Sequence, residues 1–215
     1  HNFNKDIKVV GGRYGLSSKN TTPYQIKAVY DFLDSDNCFD NFTIGIEDDV
    51  TNLSLKEVPM DIKPHDYEML IYGFGSDGMV SASKDLIKVT GDNAKVYVQG
   101  YFEYDSKKSG GVTKSHLRFD KNPIKSTYYV EKPNLVVCTK DIYLKKLKML
   151  DNIVEGGIFL INTNYNKDEI LNIISTHDKN IMKERNIQLY IVNANKIAQE
   201  IGLPGKINTI IETII

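Results

Sequence analysis

Gly73-Phe74-Gly75-Ser76-Asp77-Gly78 is the segment of this 215-residue chain whose spacing speaks most directly to chemistry. A glycine lets the backbone come close to a phosphate, and free N–H groups at the start of a following helix face that anion. G-x-G-x-x-G in isolation is a tight turn as readily as a binding loop. Here an apolar run ending at Gly73 precedes it and a helical pattern follows, the setting in which the motif carries meaning. Gly75, Ser76, Asp77 and Gly78 are therefore candidate anion-site residues. The second segment, Glu103 to Thr113, follows the next predicted strand, where dinucleotide folds read the ribose of their ligand. Asp105 could accept from a 2′-hydroxyl. Lys107, Lys108 and Ser109 beside Gly110-Gly111 suit an added phosphate instead, such as the 3′-phosphate of coenzyme A or the 2′-phosphate of NADP.

Other chemistry-bearing residues are isolated. His65, His116 and His177 show no metal-ligand spacing, and Glu47-Asp48-Asp49 reads as a solvated turn, so no metal site is expected. Arg118 suits a phosphate or an ion pair equally. Cys138 lies in an apolar run as a core thiol, and Cys38 in a loop with nothing to lower its pKa. No nucleophile–base–orienter set is visible, so no catalytic residue is assigned. The residues by themselves describe a binding domain for a phosphorylated cofactor.

Two such loops need strands to carry them. Short apolar runs at 68–73, 95–102, 135–138, 157–162 and 188–192 alternate with helical patterns at 78–89, 142–150, 167–175, 194–202 and 207–215. That alternation predicts a doubly wound, mainly parallel α/β sheet, with both loops at the carboxyl ends of adjacent strands. The lysine–glycine stretch from Ser106 to Lys125 reads as a loop. Residues 1–64 differ. A strand at 8–14, a helix opened by Thr22-Pro23 and a strand at 42–46 form an N-terminal extension, too little to close a domain alone. The domain boundary is accordingly placed between 1–64 and 65–215. Because the chain stops on Ile214-Ile215 within an apolar helix, it reads as a piece of a longer protein.

Composition narrows the classes. With 27 basic and 28 acidic residues the net charge is −1, which gives no general argument for nucleic acid. The distribution is uneven, with 11 acidic against 2 basic side chains over 31–68 and 6 basic against 1 acidic over 106–125. No apolar run is long enough to span a membrane, and the first residues lack the apolar core of a signal peptide. Two distant cysteines argue against a disulfide framework or an iron–sulfur cluster carried by this chain alone, and a reducing cytoplasm is expected.

The segment Tyr101 to Thr113, with Ser115-His116-Leu117-Arg118-Phe119, resembles the pyruvate:ferredoxin (flavodoxin) oxidoreductase family, including its pyruvate:NADP+ form. So do Gly73 to Val80, Gly91-Asp92-Asn93, Lys196 to Glu200, Tyr14 to Lys19 and Asp48 to Thr51. The resemblance implies an enzyme that makes acetyl-CoA and carbon dioxide from pyruvate and coenzyme A. It further implies thiamine diphosphate, Mg and iron–sulfur clusters in other domains of a cytoplasmic homodimer. Ferredoxin, flavodoxin or a fused NADP reductase module would take the electrons. Residues 65–215 would be the gamma-type, coenzyme A-associated domain, and 1–64 the end of a transketolase-like domain with linker. The resemblance assigns coenzyme A contacts to Gly75, Ser76, Asp77, Gly78, Lys107, Lys108 and Ser109, and adds Lys206 and Asn208. Lys206 stands where the family pattern tends to Arg. Gly-Ser-Asp-Gly replaces the Gly-Gly-Gln-Gly-like loop of gamma-type subunits, which favours the single-chain enzymes. The fragment would bind without turning over. Two competitors remain: a self-contained NADP-binding oxidoreductase domain, which lacks a catalytic Tyr–Lys or His partner, and an interaction module in which Lys107 and Lys108 meet an acidic surface.

Overall fold

The computed structural model describes residues 7–15, 20–105 and 111–215. The chain divides into two compact units, His1–Lys63 and Pro64–Ile215.

The first unit is a small sheet with one helix. Strands β1 (Gly12–Arg13), β2 (Phe42–Ile44) and β3 (Ser54–Leu55) pair in parallel in that order. Helix α1 (Pro23–Leu33) starts where the sequence predicts. Thr22 accepts from the Gln25 N–H at 3.2 Å and the Gln25 side chain accepts from the Thr22 N–H at 3.3 Å, a reciprocal cap with Pro23 at the first turn. Phe42 and Ile44 are buried in this unit. The segment thus has more internal order than the edge elements expected of it.

The second unit begins with β4 (Tyr67–Phe74), α2 (Met79–Asn93), β5 (Tyr97–Tyr104), β6 (Val112–Asp120) and β7 (Leu135–Cys138). A 3-10 turn over Asp141–Lys145 follows, then β8 (Ile158–Asn162), α3 (Lys167–Ile173), α4 (Thr176–Glu184), β9 (Gln188–Val192), α5 (Ala194–Glu200) and α6 (Ile207–Ile214). The six strands lie in the order β5-β6-β4-β7-β8-β9. Five run parallel and β6 runs against both its neighbours. On one face, Met79 and Ala82 of α2, Ala194 and Ala198 of α5 and Ile210 and Ile211 of α6 pack on Ile71, Leu117, Val137 and Leu160. On the other, Tyr143, Leu150, Ile170 and Ile181 cover Leu70, Tyr72, Val136, Phe159 and Ile161. Each fully buried aliphatic side chain contributes about 1.5–3 kcal/mol.

The α/β class matches the sequence reading, but three details differ. Residues 112–120 are a strand, so β4 and β5 are separated by β6 rather than adjacent. The expected helix at 142–150 is only the short 3-10 turn. The helix expected over 167–175 ends at Ile173, because Ser175 caps a new one by accepting from the Asp178 N–H.

The misread strand hides charged groups. Arg118 is 1% exposed; its Nε donates to Glu68 Oε1 at 3.0 Å on β4 and its Nη1 to Gln99 Oε1 at 2.9 Å on β5. The Tyr128 ring covers the guanidinium at 4.9 Å. Next along, the Val130 N–H donates to His116 Nδ1 at 3.1 Å, which leaves Nε2 to carry the proton 3.5 Å from Glu103. Tyr129 stacks on the imidazole. The choice between phosphate and ion pair for Arg118 is therefore settled as an ion pair.

At the end of β6, His65 bridges Asp120 and Ser126, each at 2.7 Å, and Ser126 also donates to the Tyr128 hydroxyl. These bonds pin the segment that lids the polar face. Bonds from Asn122 first, then from His65, hold the Asp120 carboxyl down at about 2. Burial holds the His116 imidazole below its ordinary value, with Glu103 pulling it back up. Both folded pKa values lie below the unfolded ones, so both contributions are complete at neutral pH and are lost on acidification. Stability is expected to start falling below the ordinary histidine value of 6.5 and to fall further as pH drops from 3.8 toward 2. Urea midpoints across pH check this, and Asp120→Asn should flatten the lower limb.

Candidate functional site

The chain enters the sheet at β4, runs outward to β5 and β6, and returns on the other side of β4 to β7. The point between β4 and β7 is thus where strand order reverses. At such a point the loops leaving the carboxyl ends diverge and open a crevice, the usual ligand position in an open α/β sheet.

The glycine loop stands on one side of it. Gly73 ends the buried part of β4, where a Cβ would meet Thr113 Oγ1 at 2.8 Å. Ser76 and Gly78 then take φ values of 79° and 81°, the left-handed region. Asp77 organises the turn. Its carboxylate accepts from the Phe74 N–H at 2.7 Å, the Met79 N–H at 2.9 Å and the Thr139 hydroxyl at 3.1 Å. It occupies the first N–H of α2 and ties the loop to the end of β7. Asp77 therefore shapes the loop with its carboxylate turned inward, whereas the sequence reading made it a direct contact. The Gly75 N–H is used as well, donating to the Gly111 carbonyl at 2.9 Å. The N–H groups of Ser76 and Gly78 have no acceptor among the described residues. Two unspent donors on left-handed residues make a small concavity suited to an anion.

Three further pieces converge here. A Cβ on Gly78 would meet Asn208 Nδ2 at 3.0 Å, so the first turn of α6 lies against the loop. Lys206, exposed, is the residue that precedes that helix. Gly111 and Asp105 bound the β5–β6 connection, where the Asp105 N–H donates to the Val112 carbonyl at 3.1 Å. Through its bond to Gly75, that connection meets the glycine loop. Lys107, Lys108 and Ser109 belong to it but lie outside the described residues. The two loops do share one end of the sheet as expected, with the start of β6 between them rather than as exits of neighbouring strands.

Across the crevice is a cleft of about 180 Å³ lined by Thr139, Lys140, Asp141, Thr163, Asn164 and Asn195, among others. Buried Asn162 holds it together, donating to the Thr139 carbonyl at 3.2 Å and accepting from the Ala194 N–H at 2.9 Å. Sequence reasoning missed these residues. Their signal was positional: each polar group directly follows an apolar strand, in Cys138-Thr139-Lys140-Asp141, Asn162-Thr163-Asn164 and Asn193-Ala194-Asn195.

An iron–sulfur cluster does not fit these residues. Cys138 is fully buried with its thiol pushed up to about 12 by desolvation, and Cys38, the other cysteine, belongs to the first unit. A cluster needs several thiolates together. Among the described residues, no helix is long and apolar enough to cross a membrane.

Gly78→Ala tests the contact at the loop. A left-handed alanine costs about 1–2 kcal/mol, and its Cβ presses on Asn208. Thermal unfolding should show that loss, with Asn208→Ala added to Gly78→Ala recovering the steric part and leaving the backbone part.

Comparison with known proteins agrees with this architecture. The chain is 44% identical over 211 residues to pyruvate:ferredoxin oxidoreductase of Moorella thermoacetica, which covers 97% of this chain and 18% of that protein. It is 44% identical over 206 residues to pyruvate-flavodoxin oxidoreductase of Trichormus variabilis, covering 95% of this chain and 17% of that protein. The chain thus spans about a fifth of the length of these curated relatives. Among solved structures, pyruvate oxidoreductase subunit PORC of Thermotoga maritima superposes with a TM-score of 0.52 at 24% identity, over 66% of this chain and 70% of that one, a likeness of fold. The sequence pattern described as pyruvate ferredoxin/flavodoxin oxidoreductase matches residues 68–214, nearly all of the second unit, and the chain belongs to that family.

Proposed function

We propose that Pro64–Ile215 is the coenzyme A-binding unit of a pyruvate:ferredoxin- or pyruvate:flavodoxin-type oxidoreductase. The observation that carries this is the meeting, at the carboxyl end of β4 and beside the point of strand reversal, of the glycine loop, Asn208 and the ends of the lysine-bearing connection. The Ser76 and Gly78 N–H groups would hold the pyrophosphate, with Asn208 donating beside them and Lys206 adding charge. Lys107, Lys108 and Ser109 would hold the 3′-phosphate. Asp77 keeps the loop closed so that these donors stay oriented. The chain's contribution is position and exclusion of water: it would present the thiol at a fixed place instead of leaving it to diffuse.

In the parent enzyme the reaction would be the oxidative decarboxylation of pyruvate to acetyl-CoA and carbon dioxide, with ferredoxin, flavodoxin or a fused NADP reductase module taking the electrons. Thiamine diphosphate with its Mg²⁺ supplies carbanion chemistry when bound, and we assign it and the iron–sulfur clusters to the remaining domains. Residues 1–64 would be the end of the preceding transketolase-like domain with its linker. The parent would be a cytoplasmic homodimer, and this chain alone a binder without turnover.

Calorimetric titration with coenzyme A and with NADP separates the readings. Saturable binding of coenzyme A with weaker NADP binding supports the proposal. NADP preference would replace it with a nicotinamide-binding domain, and binding of neither would leave a unit that only positions its neighbours.

A further inference from the structure

Far from the glycine loop in sequence, three acid and imidazole side chains meet at the start of α4. His177 and Asp178 occupy its first turn, and Asp151 reaches them from the turn that follows Leu150. His177 Nε2 lies 2.6 Å from Asp151 Oδ1. One ligating atom from each of Asp151, His177 and Asp178 falls within 4.8 Å of the others. Proximity alone says little, since exposed acids often gather.

Asp178 supplies the second observation. It is 3% exposed, in contrast to its two partners, whose side chains are 51% (His177) and 44% (Asp151) exposed. One of its oxygens, Oδ2, accepts from the Ser175 hydroxyl at 2.9 Å. The other, Oδ1, is buried with no hydrogen-bond partner among the described residues. A buried carboxylate oxygen without a partner is costly, and either a proton or a cation relieves it. Burial, foremost, and then the nearby Asp151 charge raise the Asp178 pKa, while Ser175, His177 and Lys148 act the other way. The site thus concentrates negative charge that the protein leaves only partly compensated.

The geometry points to a divalent-cation site formed by Asp151, His177 and Asp178, with positions left for water. One imidazole with two carboxylates suits a first-row ion of the Zn²⁺ type over Mg²⁺, which prefers oxygen ligands and its own water shell. The sequence reading expected no metal because His177 showed no ligand spacing to another histidine; Asp151, 26 residues away, is brought to it by the fold. The ion would clip the turn beside Leu150 and Ile153 to the helix that buries Ile181, all three in one core cluster. Its role would be structural and independent of the coenzyme A reading.

The test is titration of the chain with Zn²⁺ and with Mg²⁺, with thermal unfolding before and after a chelator. The expected result is one Zn²⁺ bound, Mg²⁺ binding far weaker, and a melting temperature raised by Zn²⁺ and restored by chelation. His177→Ala and Asp151→Ala change exposed side chains, so folding is not at issue; each should weaken Zn²⁺ binding at least tenfold and abolish the shift. Asp178→Asn should also lose the metal while melting no lower than the metal-free parent. The visible spectrum of bound Co²⁺ should show nitrogen and oxygen ligation. Unchanged Zn²⁺ affinity in His177→Ala, a thiolate band in the Co²⁺ spectrum, or no binding by the parent would each overturn the site.

Discussion

Replacing Glu68 with alanine is expected to cost the second unit about 3–5 kcal/mol, because it strands the Arg118 guanidinium in the interior without its counter-charge. Both side chains are nearly inaccessible, at 1% and 4% exposure, and Gln99 offers only a neutral acceptor in compensation. Arg118 also has an Nη2 that already lacks a partner among the described residues. Thermal unfolding followed by circular dichroism should show a fall of about 6–20 °C in the melting temperature. The informative control is Glu68→Leu combined with Arg118→Met. Removing both charges removes the desolvation cost along with the attraction, so the double variant should lie well above either single one. A single variant as stable as the parent would mean that water reaches the pair.

Lys107→Ala with Lys108→Ala should weaken coenzyme A binding roughly tenfold to a hundredfold at low salt, since a hydrogen bond to a charged group contributes about 1.5–3 kcal/mol. The gap should narrow as salt rises and screens the phosphate. Dephospho-coenzyme A should bind the parent and the double variant alike, because the charge these lysines are assigned to hold is absent from it. Equal affinity of parent and variant for coenzyme A would remove both lysines from the site.

What the sequence revealed and what it concealed follow from the range of each interaction. The glycine loop was legible because a strand, a turn and a helix start are local events. The cap at Thr22 was legible for the same reason. Strand β6 was not, because its alternation places Lys114, His116 and Arg118 on a face that normally reads as solvent. Partners distant in sequence make that face habitable: Glu103, Tyr101 and Gln99 from β5 and Glu68 from β4, brought by register, and the Tyr128 to Val130 segment that covers them. The inward turn of Asp77 depends on Thr139 arriving from β7, and the cleft beyond it on strand order, neither of which a local pattern encodes. Asn208 came from family resemblance rather than from periodicity, and its contact with Gly78 needed α6 to fold back against the loop.

The central claim is that coenzyme A occupies the crevice at the reversal of strand order. Amide hydrogen exchange, measured with and without saturating coenzyme A, tests it most directly. The account expects slowed exchange at 75–79, at 105–113 and at 206–209, with β8, β9 and α4 unchanged. Protection confined to other segments, or none in these three at a concentration where calorimetry shows binding, would contradict it.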